Sequence, residues 1–299
     1  MTQELMKHCT LCPRKCGVDR TLGKGFCAQS DRVRIARADL HMWEEPCLGG
    51  ENGSGTVFFS GCSLKCCYCQ NYEISAGNKG FELSIRELAD TFLYLQKKGA
   101  QNIDLVSPTH FVPQICDALD LLGSELSIPV VYNSSGYECV QTLRMLGDRV
   151  KIFLPDLKYF DSSISQEYSA AADYFPTAIK AIREMVNIAG KPTFDQRGIM
   201  QSGVIVRHLV LPNHRHDSIR LVRELAGEFD KDELLVSIMS QFTPVYKAFE
   251  HKKLSRRTST FEYKSVVDEV AALGFDGFFQ KRDSASEDFI PEFFDTKYY

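Results

Sequence analysis

The chain has 299 residues, 44% of them hydrophobic and 25% charged, with 11 cysteines and a formal net charge of −4. This is ordinary globular composition, long enough for a large core or for one α/β barrel-type domain. No run approaches the roughly 18 consecutive apolar residues of a membrane span, and a mildly acidic chain speaks against a nucleic-acid substrate, which calls for a basic field.

Residues 1–50 are cysteine-rich and punctuated by glycine, with no sustained periodicity, and read as a small metal-binding lobe. Met1–Lys7 has neither a basic start nor an apolar run, so no secretory signal is expected and the chain reads as cytoplasmic. Reducing conditions there favour metal-binding or catalytic cysteines over disulfides. Cys9, Cys12, Cys16 and Cys27 follow the pattern C-x2-C-x3-C-x10-C, with Pro13, Gly17, Gly23 and Gly25 for tight turns. Four ligands at such spacing predict a second metal site. Zinc would close and fold the lobe; an iron–sulfur cluster would relay electrons or bind substrate, and the spacing does not separate the two. Cys47, within Trp43–Leu48, either replaces one of these ligands or reaches the active site.

From about residue 54, strand-like apolar runs alternate with helical patterns, and Thr56–Ser60 is the first strand. Directly after it Cys62, Cys66 and Cys69 lie on one short loop as C-x3-C-x2-C, opened by Gly61 and with Tyr68 just before the third cysteine. Three soft thiolates suit an iron–sulfur cluster that leaves one iron without a protein ligand, free to bind and reduce a small molecule. Cys67 adds a fourth thiol, which keeps a structural zinc site as an alternative. Neighbouring side chains diverge, however, and Cys67 reads as a buried small hydrophobe. The loop resembles that of the radical S-adenosylmethionine (SAM) superfamily. The resemblance implies a [4Fe–4S] cluster on Cys62, Cys66 and Cys69, SAM on the open iron, and a one-electron donor such as flavodoxin or ferredoxin.

Further along, Ser84 and Glu87 form a capping box that opens a helix with the apolar stripe Ile85, Leu88, Phe92 and Leu95. Strands follow at Ile103–Val106, Pro129–Tyr132, Val150–Leu154, Val204–Leu211 and Leu234–Ile238, and a short one at Gly277–Gln280. Helices are expected at about Val112–Leu122, Glu138–Leu146 and Phe261–Leu273, with a longer stretch over 165–189 interrupted near Pro176. Lys252, Lys253, Arg256 and Arg257 form one basic cluster, read as a solvated turn before the last helix. Serial strand–helix units imply a parallel sheet. Six units are too few for a closed eight-stranded barrel, so the expected fold is α/β, a partial (β/α)6 TIM-like barrel. It would span 51–283, after the cysteine-rich lobe 1–50 and before an aromatic tail, 284–299, packed on the barrel.

Barrels of this kind carry their chemistry at the carboxyl ends of the strands. Ser107, Pro108 and Thr109 follow the second strand, and by the resemblance stand where relatives meet the amino group of SAM. His110 beside them is either catalytic or, as is usual at a helix start, structural. Asn133 and Ser134, after the third strand, suit the methionyl carboxylate or the ribose, and equally suit a helix cap. Asp156 and Lys158 alternate on a strand end and share a face, able to grip the zwitterionic end of SAM. Arg207, flanked by Val-Ile-Val and Leu-Val-Leu, must face the interior and a partner. Gln241 stands where relatives often place a histidine on the cofactor.

The segments around Cys9–Cys16, Lys24–Cys27, Glu44–Cys47, Pro108–His110 and Asp156–Lys158 together resemble a pyruvate formate-lyase-activating-enzyme-like subgroup of the superfamily, over essentially the whole chain. That implies an oxidoreductase that cleaves SAM to a 5′-deoxyadenosyl radical, which abstracts hydrogen from a glycine of a glycyl radical enzyme. Another peptide or a small molecule is the alternative substrate. A non-catalytic iron–sulfur or zinc-binding interaction protein is the alternative of another class.

Overall fold

The computed structural model describes residues 2–77, 79–280 and 293. Ten strands form one sheet: β1 (Val33–His41), β2 (Ser54–Phe59), β3 (Phe81–Leu83), β4 (Ile103–Val106), β5 (Val130–Ser134), β6 (Ile152–Pro155), β7 (Thr193–Phe194), β8 (Met200–Leu209), β9 (Leu235–Met239) and β10 (Gly277–Phe279). Their order is β10-β9-β8-β6-β5-β4-β2-β1-β3, with β7 paired to β8 alone. Pairing is parallel from β2 through β4, β5, β6, β8 and β9 to β10. β1 and β3 close one edge in antiparallel fashion. Among the described residues β10 does not pair with that edge, so the sheet is a partial TIM-like barrel, open on one side.

Local sequence accounts for most of this. Every residue of β2 is buried, the near-continuous pattern of a strand covered on both faces. Ser84 and Glu87 cap the helix Ile85–Lys97 reciprocally, and its Leu88, Phe92 and Leu95 are buried in the main core. The helix Val112–Leu122 occupies the span the sequence indicates. The long helical stretch breaks earlier than expected. Ser162–Ser169 ends at Ala170 in the left-handed conformation, and Tyr174–Ala189 carries Pro176 in its first turn, where a missing N–H costs nothing. A helix at Arg215–Glu228 connects β8 to β9. Lys252 and Lys253 are exposed, while Arg256 pairs with Glu262 at 2.7 Å at the start of the last helix. No helix among the described residues is long and apolar enough to cross a membrane.

Two features differ from the sequence reading. Val33–His41, expected within a loop-rich lobe, is a strand of the main sheet, and its alternation is weak because most of its positions are only half-buried. The segment after it turns into the barrel: Cys47 and Leu48, on the short helix Pro46–Gly49, pack against Val131, Ile152, Leu154 and Ile205. A closed barrel fills its interior with layers of strand side chains. Here part of that filling comes from the N-terminal segment, held by Asn102 Nδ2 donating to the Leu48 carbonyl at 2.9 Å. Of the expected aromatic tail, Phe293 meets the Phe58 ring edge-on at 5.5 Å; the rest of 284–299 lies outside the described residues.

Candidate active site

β2 runs into the three-cysteine loop through Ser60 and Gly61. Gly61 has φ 86°, and a Cβ there would stand 2.4 Å from the Cys27 carbonyl oxygen, so both conformation and space require glycine. Cys62, Cys66, Tyr68 and Cys69 border a cavity of about 240 Å³ at the carboxyl ends of the strands. Each sulfur accepts a hydrogen bond: Cys62 from the Leu64 N–H at 3.4 Å, Cys66 from Ser169 Oγ at 2.9 Å, and Cys69 from Ser75 Oγ at 3.3 Å. Burial pushes the Cys69 thiol up to about 12. Burial also raises Cys66, against the pull of the Lys158 ammonium. Cys67 is buried away from this cavity, in keeping with the small-hydrophobe reading.

The strand ends supply the opposite wall. Ser107 after β4, Asn133 and Ser134 of β5, Asp156 and Lys158 after β6, Arg207 of β8 and Gln241 after β9 all border the cavity. Lys158 Nζ lies 2.5 Å from Asp156 Oδ2. Burial works against the ammonium, but Asp156 and Cys66 hold its pKa above the ordinary value. Ser134 Oγ also accepts from the Gly136 N–H at 3.2 Å, a bond within the turn rather than a helix cap, since the next helix, Val140–Leu146, starts after Cys139. Pro108 and Thr109 do not reach the cavity, contrary to expectation. A short 3-10 turn over Thr109–Phe111 folds them back, and Thr109 Oγ1 donates to buried Glu138 at 2.6 Å. His110 is structural. It is buried, its Nε2 lies 2.7 Å from the Ser60 carbonyl, and burial with the nearby Arg20 charge pushes it down to about 3.

Arg207 borders the cavity but its guanidinium is already engaged. Nε meets Glu45 Oε1 at 2.8 Å, and Nη2 contacts Glu45 Oε2 at 2.5 Å and Glu44 Oε2. Burial raises the cost of the Glu45 carboxylate, yet Arg207 outweighs it and holds the carboxyl below its usual range. Asp104 on β4 is nearby. Burial and then Glu44 hold its carboxyl well above the ordinary value, and its Oδ2 accepts from Asn133 Nδ2 at 3.3 Å. A second cavity, about 550 Å³, shares His41, Glu44, Gln70, Arg207, Met239 and Gln241 with the first and opens past Trp43 and Phe279. It is lined by the segment that follows β1 on one side and by residues of β8, β9 and β10 on the other. His41, Glu44 and Glu45 therefore line cavities where sequence reasoning did not place them, and Asp104 stands behind Asn133. The signal for the acidic pair was Arg207 itself, which needed a buried counter-charge.

Cys9, Cys12 and Cys27 are buried, Cys16 partly so, and none is bridged. Burial pushes the Cys12 thiol up to about 12. Arg14, between Cys12 and Cys16, donates to the carbonyls of Ser63 at 2.8 Å, Ser169 at 2.9 Å and Ala170. The N-terminal segment thus holds the three-cysteine loop from outside. Cys47 joins neither group of cysteines; it is packed inside the barrel. Among the described residues no three His, Cys, Asp or Glu side chains are close enough to share one metal ion.

Known proteins bear on this arrangement. The chain is 27% identical over 277 residues to an uncharacterized protein of Methanocaldococcus jannaschii, covering 90% of this chain and 75% of that one. Its fold is similar to that of a radical SAM methyltransferase from Sphaerobacter thermophilus, with a TM-score of 0.53 and 15% identity, over 76% of this chain and 66% of the other, just under two thirds of its length. Streptococcus suis SuiB bound to its precursor peptide SuiA gives a TM-score of 0.50 at 14% identity, over 74% of this chain and 46% of that structure. At such identities the structural likeness concerns the fold. The model of one family matches residues 56–226, from β2 through the strands and helices that wall the cavity, and the chain belongs to that family, the Radical SAM superfamily.

Proposed function

We propose that this chain is a radical SAM enzyme in which Cys62, Cys66 and Cys69 hold the [4Fe–4S] cluster that the family implies. The observation that carries this reading is that three free thiols border one cavity and each accepts a hydrogen bond, with Lys158 close enough to offset thiolate charge. The donor set is all sulfur, which fits iron–sulfur chemistry better than a hard cation. Thiols on different irons of one cluster also stand farther apart than ligands of a single ion. A cluster held by Cys62, Cys66 and Cys69 with SAM beside it would supply the one-electron cleavage of SAM to a 5′-deoxyadenosyl radical able to abstract hydrogen. The protein contributes binding, orientation and exclusion of water. Asp156 and Lys158 offer one acceptor and one donor to the amino-acid end of SAM, Asn133 and Ser134 its polar neighbours, and Tyr68 and Gln241 the flanking wall. The engagement of Arg207 by Glu44 and Glu45 leaves it a wall of the site rather than a free anion receptor.

The substrate proposed first is a glycine of a glycyl radical enzyme, with flavodoxin or ferredoxin as electron donor. The same reading gives Cys9, Cys12, Cys16 and Cys27 a second metal, zinc or iron–sulfur. A second substrate reading, a peptide or small molecule bound and turned over, is favoured by the 550 Å³ cavity contiguous with the first. A non-catalytic metal-binding role is disfavoured by the Asp156–Lys158 pair facing the cavity, which an inert site does not need. The test is to mix the reduced protein and SAM anaerobically with a glycyl radical enzyme and record the electron paramagnetic resonance spectrum. A stable glycine-centred radical on the partner supports the activase. Repeated 5′-deoxyadenosine release without such a radical favours the second substrate reading.

A further inference from the structure

Arg20 has no exposed surface, and among the described residues no carboxylate lies within ion-pair distance of it. Its Nε and Nη2 donate to the Ser30 carbonyl at 3.1 and 2.5 Å, and its Nη1 to the His110 carbonyl at 2.5 Å. The Phe111 ring lies 5.4 Å from the guanidinium carbon. These partners take three of its five N–H groups and bring no net negative charge. A guanidinium cannot shed its proton, and a buried charge without a counter-charge is strongly unfavourable. The remaining contact is Cys9 Sγ, 3.8 Å from Nη1.

Gly25 supplies an independent observation. Its φ is not in the left-handed region, so no backbone constraint asks for glycine. A Cβ built there would instead meet Cys16 Sγ at 3.3 Å, Cys27 Sγ at 3.6 Å and Arg20 Cδ at 4.0 Å. Glycine there lets the backbone come close to two of the sulfurs and to the uncompensated cation, which a side chain would crowd.

We propose that Cys9, Cys12, Cys16 and Cys27 ligate an iron–sulfur cluster of net negative charge, whose irons take thiolates that stand farther apart than the ligands of one ion, and that buried Arg20 is its counter-ion. This rests on the reading of the four cysteines as a second metal site and adds what balances it. Four thiolates carry four negative charges, which leaves such a cluster anionic, and Arg20 offsets part of that charge from within the protein. The same loop bears Arg14, whose bonds to Ser63 and Ser169 reach the three-cysteine loop. An ordered centre here therefore also orders the support of the first.

The test uses the full chain with Cys62, Cys66 and Cys69 all changed to alanine, reconstituted anaerobically with iron and sulfide, desalted, and confirmed folded by circular dichroism. The proposal expects this variant to keep iron with sulfide and visible absorption, and to lose both when Cys12→Ser and Cys27→Ser are added. A folded variant without iron and sulfide overturns the proposal. Arg20→Gln should release the metal to a chelator about tenfold faster or more, and Arg20→Lys, which keeps the charge, should stay near the wild type. Equal release from Arg20→Gln overturns the counter-ion assignment. Because the cluster loop is absent, none of these outcomes depends on SAM chemistry. Metal retained here beside an intact protein that cannot cleave SAM would sink the enzyme reading alone.

Discussion

Ser169 Oγ lies 2.9 Å from Cys66 Sγ, although the two residues are 103 positions apart in the chain. Tyr159 Oη lies 2.7 Å from the same hydroxyl, and Tyr68 Oη lies 2.6 Å from that of Tyr159. A metal-bound thiolate can only accept, which fixes the direction of the series: Tyr68 donates to Tyr159, Tyr159 to Ser169, and Ser169 to Cys66. Hydrogen bonds to cluster sulfurs stabilise the reduced, more negative state. Ser169→Ala should therefore move the reduction potential of the cluster to more negative values, with Tyr159→Phe acting in the same direction and less. A redox titration followed by electron paramagnetic resonance checks this; an unchanged potential in Ser169→Ala would contradict the assignment.

The Arg207 ion triad makes a stability prediction. Changing Arg207→Gln leaves Glu44 and Glu45 buried without their cation, an arrangement that costs about 3 kcal/mol or more. Urea unfolding should show that loss. Adding Glu45→Gln to Arg207→Gln should recover part of it, since the two residues share one interaction.

Glu138 sets a pH dependence. It is fully buried, and burial raises its carboxyl from 4.5 to about 7, against the hydrogen bonds from Thr109 and Tyr132. A carboxyl whose folded pKa exceeds its unfolded one binds its proton more tightly in the native state. Its contribution is therefore present at low pH and lost as pH rises from about 4.5 to about 7, a change of about 3 kcal/mol. Glu138→Gln should flatten the stability profile over that window when unfolding is measured at each pH. A wild-type-like slope in the variant would assign the dependence to another group.

Gly136 lies between the polar end of β5 and Asp156. Its φ is 74°, and a Cβ there would stand 2.2 Å from the Asp156 carbonyl oxygen. Gly136→Ala should lose about 2 kcal/mol of stability and, by displacing Asp156, weaken SAM binding measured by calorimetry while leaving the iron content intact. Loss of iron instead would show that the strain spreads to the cysteine loop.

The parts of this fold that sequence could convey are those set by local pattern. The capping box at Ser84, the strand Ile103–Val106 and the helix Val112–Leu122 stand where their spacing puts them. The cavity residues at strand ends were legible for the same reason, because a parallel barrel fixes where those ends lie. β1 was not legible, since most of its positions are only half-buried and show little alternation. The helix Arg215–Glu228 has a buried face of only Ser218, Leu221, Val222 and Leu225 among many charges. The inward turn of Glu44–Leu48 depends on a barrel interior that the strands leave unfilled, which no local pattern records. Thr109 faces Glu138 rather than the cavity because of a single turn beyond β4.

The most direct test of the central claim is 5′-deoxyadenosine formation from SAM by the anaerobically reconstituted, reduced protein, measured beside Cys66→Ala. The account expects product from the wild type and none from the variant. No product from a wild-type protein whose [4Fe–4S] cluster is verified by iron analysis and spectroscopy would contradict it.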